Sequence, residues 1–313
     1  MKRICLLFFI LIPCFAYSEG MSLDLGVADF YLDTKIMDDG SITNVGLRIK
    51  YDETWGGEIR GKSEKTAKNE EMDASGVADS LIATNETVYE LSLLPLQYRS
   101  AINQDSQWRV GAGLFYEYKK SNQKGFIDMP RLEDFGFARI NSYKEDFSMH
   151  VFGPLADIGI LFNSEKLVFN LSGGVVPVFY LTASEKQRLY PLFDTVSHSQ
   201  NVWGSPYFYL YMNSTFFRYI NLAARYEYSK LKYDVIDFDA DFNPLFPKST
   251  TVNQSIFLEA SAILPFKSLG MGLQVGYGYL INIYTIDSGN PITKNKPYFI
   301  ISGKLLGFNK PEE

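Results

Sequence analysis

Apolar side chains recur at every second position along most of the chain, and polar loops interrupt the pattern. The clearest run lies near the C-terminus, and its apolar members are Met271, Leu273, Val275, Tyr277, Tyr279, Ile281 and Ile283. Comparable runs occupy 45–51, 108–118, 222–228 and 256–262. A period of two is the spacing of a β-strand with one apolar face, and no sustained helical stripe competes with it. The pattern therefore predicts an all-β chain.

The length of these runs favours strands that cross a membrane. They last roughly ten to fourteen residues, the length that a tilted strand needs to span a bilayer, whereas strands of soluble sandwiches average about five or six. Their polar faces carry arginine and glutamate beside small residues, which is typical of a wet barrel interior. We expect a transmembrane antiparallel up-and-down β-barrel.

The connections alternate between short turns and longer polar loops, as in outer-membrane barrels. The longer connections fall near 32–42, 62–86, 120–145, 183–203, 235–251 and 286–296. With short turns on one side and these loops on the other, the chain divides into about twelve strands, and ten or fourteen stay possible. The predicted strands are 22–31, 43–52, 54–61, 87–98, 107–119, 146–162, 166–182, 204–216, 220–234, 252–264, 269–285 and 297–308. In the sixth of them the apolar phase slips at Gly153 and Pro154, which predicts a β-bulge there.

The N-terminus predicts export. Lys2 and Arg3 precede the apolar run Cys5–Phe15, and small residues follow at the spacing that a signal peptidase reads. We expect residues 1–18 to be a cleaved signal peptide and 19–313 to form one barrel domain. A lipoprotein signal acylated at Cys14 is the alternative. Cleavage would remove both cysteines, so the mature chain would have no disulfide and no thiol nucleophile.

The C-terminus resembles the last strand of bacterial outer-membrane β-barrel proteins. Gly303, Leu306 and Phe308 match the glycine, hydrophobic and aromatic positions that the barrel-assembly machinery reads in that class. Ile301 stands where a polar residue is usual, and 309–313 extend beyond the usual terminal aromatic. The resemblance implies the outer membrane as location, with its lipid, periplasmic chaperones and the assembly machinery as partners. If Leu306 and Phe308 face lipid, so does Lys304; the opposite phase would turn Phe299, Ile301 and Leu305 outward.

Charge and chemistry narrow the function. The chain has 36 acidic and 30 basic residues, so a nucleic-acid partner is not expected. Only two histidines are present, and we expect no metal, no cofactor and no enzymatic activity. The expected lumen-lining residues carry both signs of charge: Arg48, Arg60, Glu90, Arg109, Glu117, His150, Asp157, Arg225, Glu227, Glu259 and Gln274. Tyr207, Tyr209 and Tyr211 form a ladder on one strand face, which could point inward or toward lipid.

These features predict a narrow channel for small polar solutes, with the mixed-charge lumen as its filter. The interior of a barrel with about twelve strands is narrow, because porins with open channels have more strands. An open and a plugged interior are therefore both compatible with this strand number. One alternative is a non-conducting surface protein that acts as an adhesin or structural protein through its loops. The other is a barrel hydrolase that uses His150, which shares a strand face with Ser148.

Overall fold

A computed structural model of the chain describes residues 29–51, 54–73, 79–128, 140–164, 166–190, 193–204, 206–217, 219–238, 244–266, 271–287 and 289–305. The expected signal peptide, 1–18, lies outside these ranges. Within them, no helix is long and apolar enough to span a membrane.

Strands account for nearly all of the described residues. The first eight are β1 Asp29–Met37, β2 Gly40–Lys50, β3 Trp55–Asp73, β4 Asp79–Asn103, β5 Ser106–Asp128, β6 Ile140–Asn163, β7 Leu167–Val176 and β8 Phe179–Tyr190. The others are β9 Phe193–Gly204, β10 Tyr207–Phe216, β11 Ile220–Asp234, β12 Asp237–Phe238, β13 Pro244–Leu245, β14 Lys248–Phe266, β15 Met271–Ile286 and β16 Ile292–Leu305.

The strands form a closed antiparallel barrel. Strands β1 to β6 pair in chain order, β6 pairs with both β7 and β8, and β8 pairs with β9. The wall continues from β7 through β10, β11, β14, β15 and β16, and the pairing of β16 with β1 closes it. Because β8 continues β7 and β9 continues β10, the wall has twelve strands, as the sequence predicts. The small strands β12 and β13 form a separate hairpin.

Several strands are much longer than the sequence pattern indicates. The segments 62–73, 79–86, 120–128 and 183–190, which we expected in long loops, lie within β3, β4, β5 and β8. These extensions raise one side of the wall above the rest. We call the end that carries them the loop end and the opposite end the turn end.

An apolar band surrounds the turn-end half of the barrel. Large exposed side chains on its outer face include Leu32, Leu91, Val110, Ile158, Val175, Leu210, Leu222, Leu258, Val275 and Ile301. Aromatic contacts border the band: Trp55–Tyr98 and Tyr98–Trp108 toward the turn end, and Tyr89–Tyr118, Tyr118–His150 and Phe208–Tyr228 toward the loop end. Such rows mark the interfaces of a membrane-embedded barrel.

The bulge predicted in β6 lies instead between β7 and β8. Pairing of β5 with β6 runs without a shift from Ser106–Phe162 to Asp128–Ile140. On the other side of β6, Ala156 pairs with Val175 but Phe152 pairs with Tyr180. Three residues of β6 therefore face four residues of the β7–β8 segment, and the extra residue of the bulge lies in that segment. Gly153 fits this site because a β-carbon there would come within 2.5 Å of the Val178 carbonyl oxygen.

Backbone hydrogen bonds join β8 to β6, whereas side chains join the edge of β9 to β11. Within the described residues, β9 has a backbone ladder with β8 alone. The Gln200 amide instead donates to the carbonyl oxygen of Asp234 at 2.6 Å and accepts from its backbone nitrogen at 2.7 Å. The Ile236 nitrogen also donates to Glu185 at 3.3 Å. Amide and carboxylate groups thus replace a missing stretch of ladder beside β11.

The last strand has the second of the two phases considered. Phe299 and Ile301 are exposed on the outer face, and Tyr298, Ile300 and Ser302 are buried on the inner face. Gly303 pairs with Leu32 and Leu273, whereas Leu306 and Phe308 lie outside the described residues.

Candidate functional site

The interior of the barrel has a polar floor toward the turn end. Gln274 donates to the Ser261 hydroxyl, and the Thr215 hydroxyl donates to the side-chain oxygen of Asn221 at 2.9 Å. Gln97 is fully buried and donates to Glu58 at 3.0 Å. These polar groups hydrogen-bond to one another, as buried polar groups require.

Above the floor, two carboxylates hold three arginines. Glu58 accepts from Arg48 at 2.9 Å and from Arg60 at 2.7 Å, and Arg109 lies 3.9 Å from it. Asp157 lies 3.3 Å from Arg60 and 3.4 Å from Arg109. The side chains of both acids are 0% exposed, whereas Arg48, Arg60 and Arg109 are 30, 19 and 12% exposed. The cluster therefore turns its guanidinium groups toward the lumen.

A second charged cluster lies beside the first. Lys62 binds Glu90 at 2.6 Å and lies 3.9 Å from Glu227, which also pairs with Arg225. Lys62 is on β3 and Glu227 is on β11, six strand positions apart in the twelve-stranded wall. This ion pair therefore reaches across the barrel.

Further pairs line the same level. Lys35 of β1 binds Glu259 of β14, whose carboxylate also accepts from Tyr298 at 2.9 Å. Arg60 of β3 donates to Tyr209 of β10, and the Tyr209 hydroxyl donates to Asp157. Side chains thus cross the lumen at the charged level.

A cavity of about 440 Å³ lies among these groups. Its wall includes the three arginines, Lys35, Lys62, Glu90 and Glu259, together with Tyr207, Tyr209, Tyr211 and Asn213. The tyrosine ladder of β10, whose facing the alternation left open, therefore points inward. It offers both ring faces and hydroxyl groups to a bound solute.

An apolar layer covers the cavity toward the loop end. The ring of Phe115 stacks on Tyr207 with centroids 5.1 Å apart, across two intervening strands. Phe115 belongs to a buried apolar cluster with Leu94, Met149, Val151, Leu155, Val176, Phe179, Leu181 and Ala183. The inner faces of β6 and β8 are therefore packed like a protein core, whereas Lys119 and Glu86 form an ion pair on the inner faces of β5 and β4.

Most of the expected lumen residues do lie on the inner face. Those placed there are Arg48, Arg60, Glu90, Arg109, Glu117, Asp157, Arg225, Glu227, Glu259 and Gln274. His150 does not. It is exposed on the outer face, where the Tyr116 hydroxyl lies 2.9 Å from its Nδ1 and Tyr118 packs on its ring.

Two members of the charged clusters, Lys62 and Lys35, were absent from the expected set of lumen residues. Lys62 fell at the start of an expected loop, so its strand was cut short. Lys35 stood in another expected loop, and β1 extends through it.

The interior near the loop end, above the level of the apolar band and its aromatic row, contains buried acidic side chains. The Tyr143 hydroxyl donates to Glu145, and burial raises the pKa of that carboxyl above its usual range. Burial, and then the nearby Glu145, raises the pKa of Glu185. His198, expected in a loop, lies in β9 with its Nε2 3.5 Å from Asp234.

Metal binding finds no support in the described ranges, where no three histidine, cysteine, aspartate or glutamate side chains are grouped as ligands. The charged clusters pair acids with bases instead, which leaves their carboxylates committed to guanidinium and ammonium groups.

Comparison with known proteins finds similar folds only. No family model and no curated protein matches the chain. The toluene transporter TodX of Pseudomonas putida is 7% identical, with a TM-score of 0.46 and 92% of each chain covered. The translocator domain of the autotransporter NalP from Neisseria meningitidis is 11% identical, with a TM-score of 0.43 and 97% of each chain covered. The outer-membrane protease OmpT of Escherichia coli is 10% identical, with a TM-score of 0.36; the match covers 89% of this chain and 93% of that chain.

The architecture itself assigns the class. Twelve antiparallel strands close into one wall, short turns join them at one end, and an apolar band lies between two aromatic rows. These are the features that distinguish barrels made for a bilayer from soluble β-proteins. The chain has the fold of the bacterial outer-membrane β-barrels.

Proposed function

We propose that the protein is a narrow outer-membrane channel for small polar solutes, closed by its own side chains. The observation that carries the proposal is the cavity of about 440 Å³, which is lined by charges of both signs and by tyrosines. A purely structural interior would fill this space, because protein cores pack without large voids.

The walls of the cavity favour solutes with an anionic group. The carboxylates of Glu58 and Asp157 lie behind the arginines, so a solute meets guanidinium groups first. Guanidinium binds carboxylate and phosphate through paired hydrogen bonds. The inward tyrosines offer stacking and hydrogen bonding to a ring or a sugar.

Passage requires contacts to separate at two levels. The Lys62–Glu227 pair crosses the charged level, and the Phe115–Tyr207 stack closes the level above it. Both contacts are made by side chains, which change rotamer far faster than a barrel wall can rearrange. We therefore expect brief and infrequent openings rather than the steady current of an open porin.

Single-channel recording in planar bilayers tests the proposal. Phe115→Ala removes the ring from the apolar layer and should raise the open probability several-fold over the parent protein. Leu114→Ala is the matched control, since Leu114 is exposed on the outer face of the same strand, and it should leave the current unchanged. A gel shift on heating confirms that both variants are folded.

Absence of current in both the parent and Phe115→Ala would contradict the channel. That result would favour the second candidate, a non-conducting surface protein. The specific observation in its support is the raised wall of β3 to β6, β8 and β9, whose interior contains a buried apolar cluster. Such a protein would act as an adhesin or a structural protein through its loop end.

Export and assembly complete the proposal. A cleaved signal at 1–18 would deliver the chain to the periplasm, and the residues Gly303, Leu306 and Phe308 would be read by the assembly machinery. The proposed path involves no catalytic step and no cofactor, and His150 lies outside it on the outer face.

A further inference from the structure

Five basic side chains form a cationic face on the outer surface near the loop end. They are Lys120 and Lys124 of β5, Lys144 of β6, and Lys186 and Arg188 of β8, and all five are exposed. We call this set the cationic face. It stands out because the chain as a whole carries a net charge of −6.

The strand register places three of these charges in one row. Lys124 is directly opposite Lys144, and Lys144 is directly opposite Arg188. Like charges at directly opposed positions of a sheet destabilise it. Asp146 offsets part of the repulsion through an ion pair with Lys144 at 2.6 Å, which leaves five bases against one acid.

The cationic face begins where the apolar band ends. Lys120 follows Tyr118 by two residues on the same outer face, and Tyr118 packs on His150 in the aromatic row. Two residues of a strand span roughly 7 Å. The lowest of these charges therefore stands at the level where lipid headgroups meet the aromatic row, and the others rise above it.

We propose that the cationic face binds phosphorylated headgroups of lipids in the outer leaflet. Phosphate supplies several strong acceptors and one to two negative charges, which match a row of lysine and arginine donors. Continuity with the apolar band favours a lipid, because its acyl chains and its phosphates can be contacted together. The ligand offsets the repulsion that the row creates. This binding does not depend on whether solutes pass through the lumen.

The test compares lipid effects on the heat stability of the folded barrel in neutral detergent. The probes are a lipid A with two phosphates and the same lipid after removal of its phosphates. Saturating phosphorylated lipid should raise the unfolding midpoint of the parent by about 5 °C, as expected for a ligand at a hundredfold excess over its Kd. The dephosphorylated lipid should raise it far less.

The variant K124Q/K144Q/R188Q should lose most of this shift, and without lipid it should be at least as stable as the parent. K166Q/K230Q/K248Q removes the same charge at exposed positions before β7, on β11 and on β14 and should keep the full shift. If the first triple variant does not fold, K120Q/K186Q takes its place and should lose part of the shift.

Equal shifts in the parent, the first triple variant and the control would overturn the proposal, as would no shift in the parent. A lower midpoint of K124Q/K144Q/R188Q without lipid would also overturn it, since the row would then have a structural role. If soluble polyphosphate stabilises the parent as much as the phosphorylated lipid does, the partner is a soluble polyanion and the lipid assignment fails.

Discussion

The two halves of strand β6 have opposite polarity. Toward the turn end, Ile158 is 61% exposed on the outer face and Asp157 is buried inside. Toward the loop end, Met149 is 2% exposed inside and Lys144 lies on the outer surface. The strand keeps its alternation throughout, and its register with β5 does not shift. What changes is the face that carries the apolar side chains: the outer face toward the turn end and the inner face toward the loop end.

The reversal follows from what lies on each side of the wall. Around the apolar band the outer face meets lipid, so large apolar side chains are favourable there and charged groups are confined to the interior. Beyond the aromatic row the outer face meets water and headgroups, and Met149 and Val151 on the inner face of β6 pack in an apolar cluster, as in the core of a soluble protein. Along the same strand, apolar side chains therefore face outward where the wall meets lipid and inward where it meets water.

The largest expected effect comes from charge placed in the loop-end interior. Met149→Arg would bury an unpaired guanidinium in the apolar cluster, at a cost of about 3–5 kcal/mol. Ser148→Arg, one residue away on the outer face, should be tolerated. The heat-shift gel assay reads both variants. If Ser148→Arg proves the more damaging, the proposed reversal in β6 is wrong.

The mirror experiment addresses the apolar band. Val275 is exposed on the outer face of β15, and Val275→Arg should cost about 2–4 kcal/mol near the bilayer midplane. Gln274→Arg places the same charge inside, next to the cavity wall, and should cost far less. Unfolding of both variants in lipid vesicles measures the difference. Equal tolerance of both changes would exclude a bilayer around that strand.

The smallest expected effect concerns the buried carboxyl groups of the loop end. A carboxyl whose pKa is raised on folding binds its proton more tightly in the folded state. Its contribution to stability is therefore full below the unfolded pKa of about 4.3 and is lost as the pH rises through the folded pKa. Glu185 and Glu145 are such groups, and His198 is the nearby base that opposes the shift at Glu185.

Glu185→Gln keeps an acceptor for the Ile236 nitrogen and removes the titration. Its unfolding midpoint should vary less between pH 5 and pH 8 than that of the parent, and it should be the more stable protein at pH 8. An unchanged pH profile would show that folding does not raise the pKa of Glu185.

The class of fold, the number of strands and most of the charged residues of the lumen could be predicted from the amino-acid pattern alone. Alternation indicates these features because a membrane-embedded strand has one apolar face. On β15, for example, Val275 faces outward and the preceding residue, Gln274, faces the interior. It also indicated an irregularity near Gly153. The pattern misplaced that bulge because it assumed that apolar residues always face outward, so Met149 and Val151 were taken for a change of phase.

What each strand face contacts depends on the folded barrel and could not be predicted from the pattern. The extensions of β3 and β5 read as loops because both of their faces are largely polar, and hydrogen bonding to neighbouring strands is what makes them strands. Likewise, Tyr207, Tyr209 and Tyr211 alternate with equally apolar residues, so packing across the lumen alone turns them inward. The bridge from Lys62 to Glu227 joins residues 165 positions apart in the chain. Local periodicity carries no information on such a pair, because its geometry depends on the diameter and closure of the whole barrel.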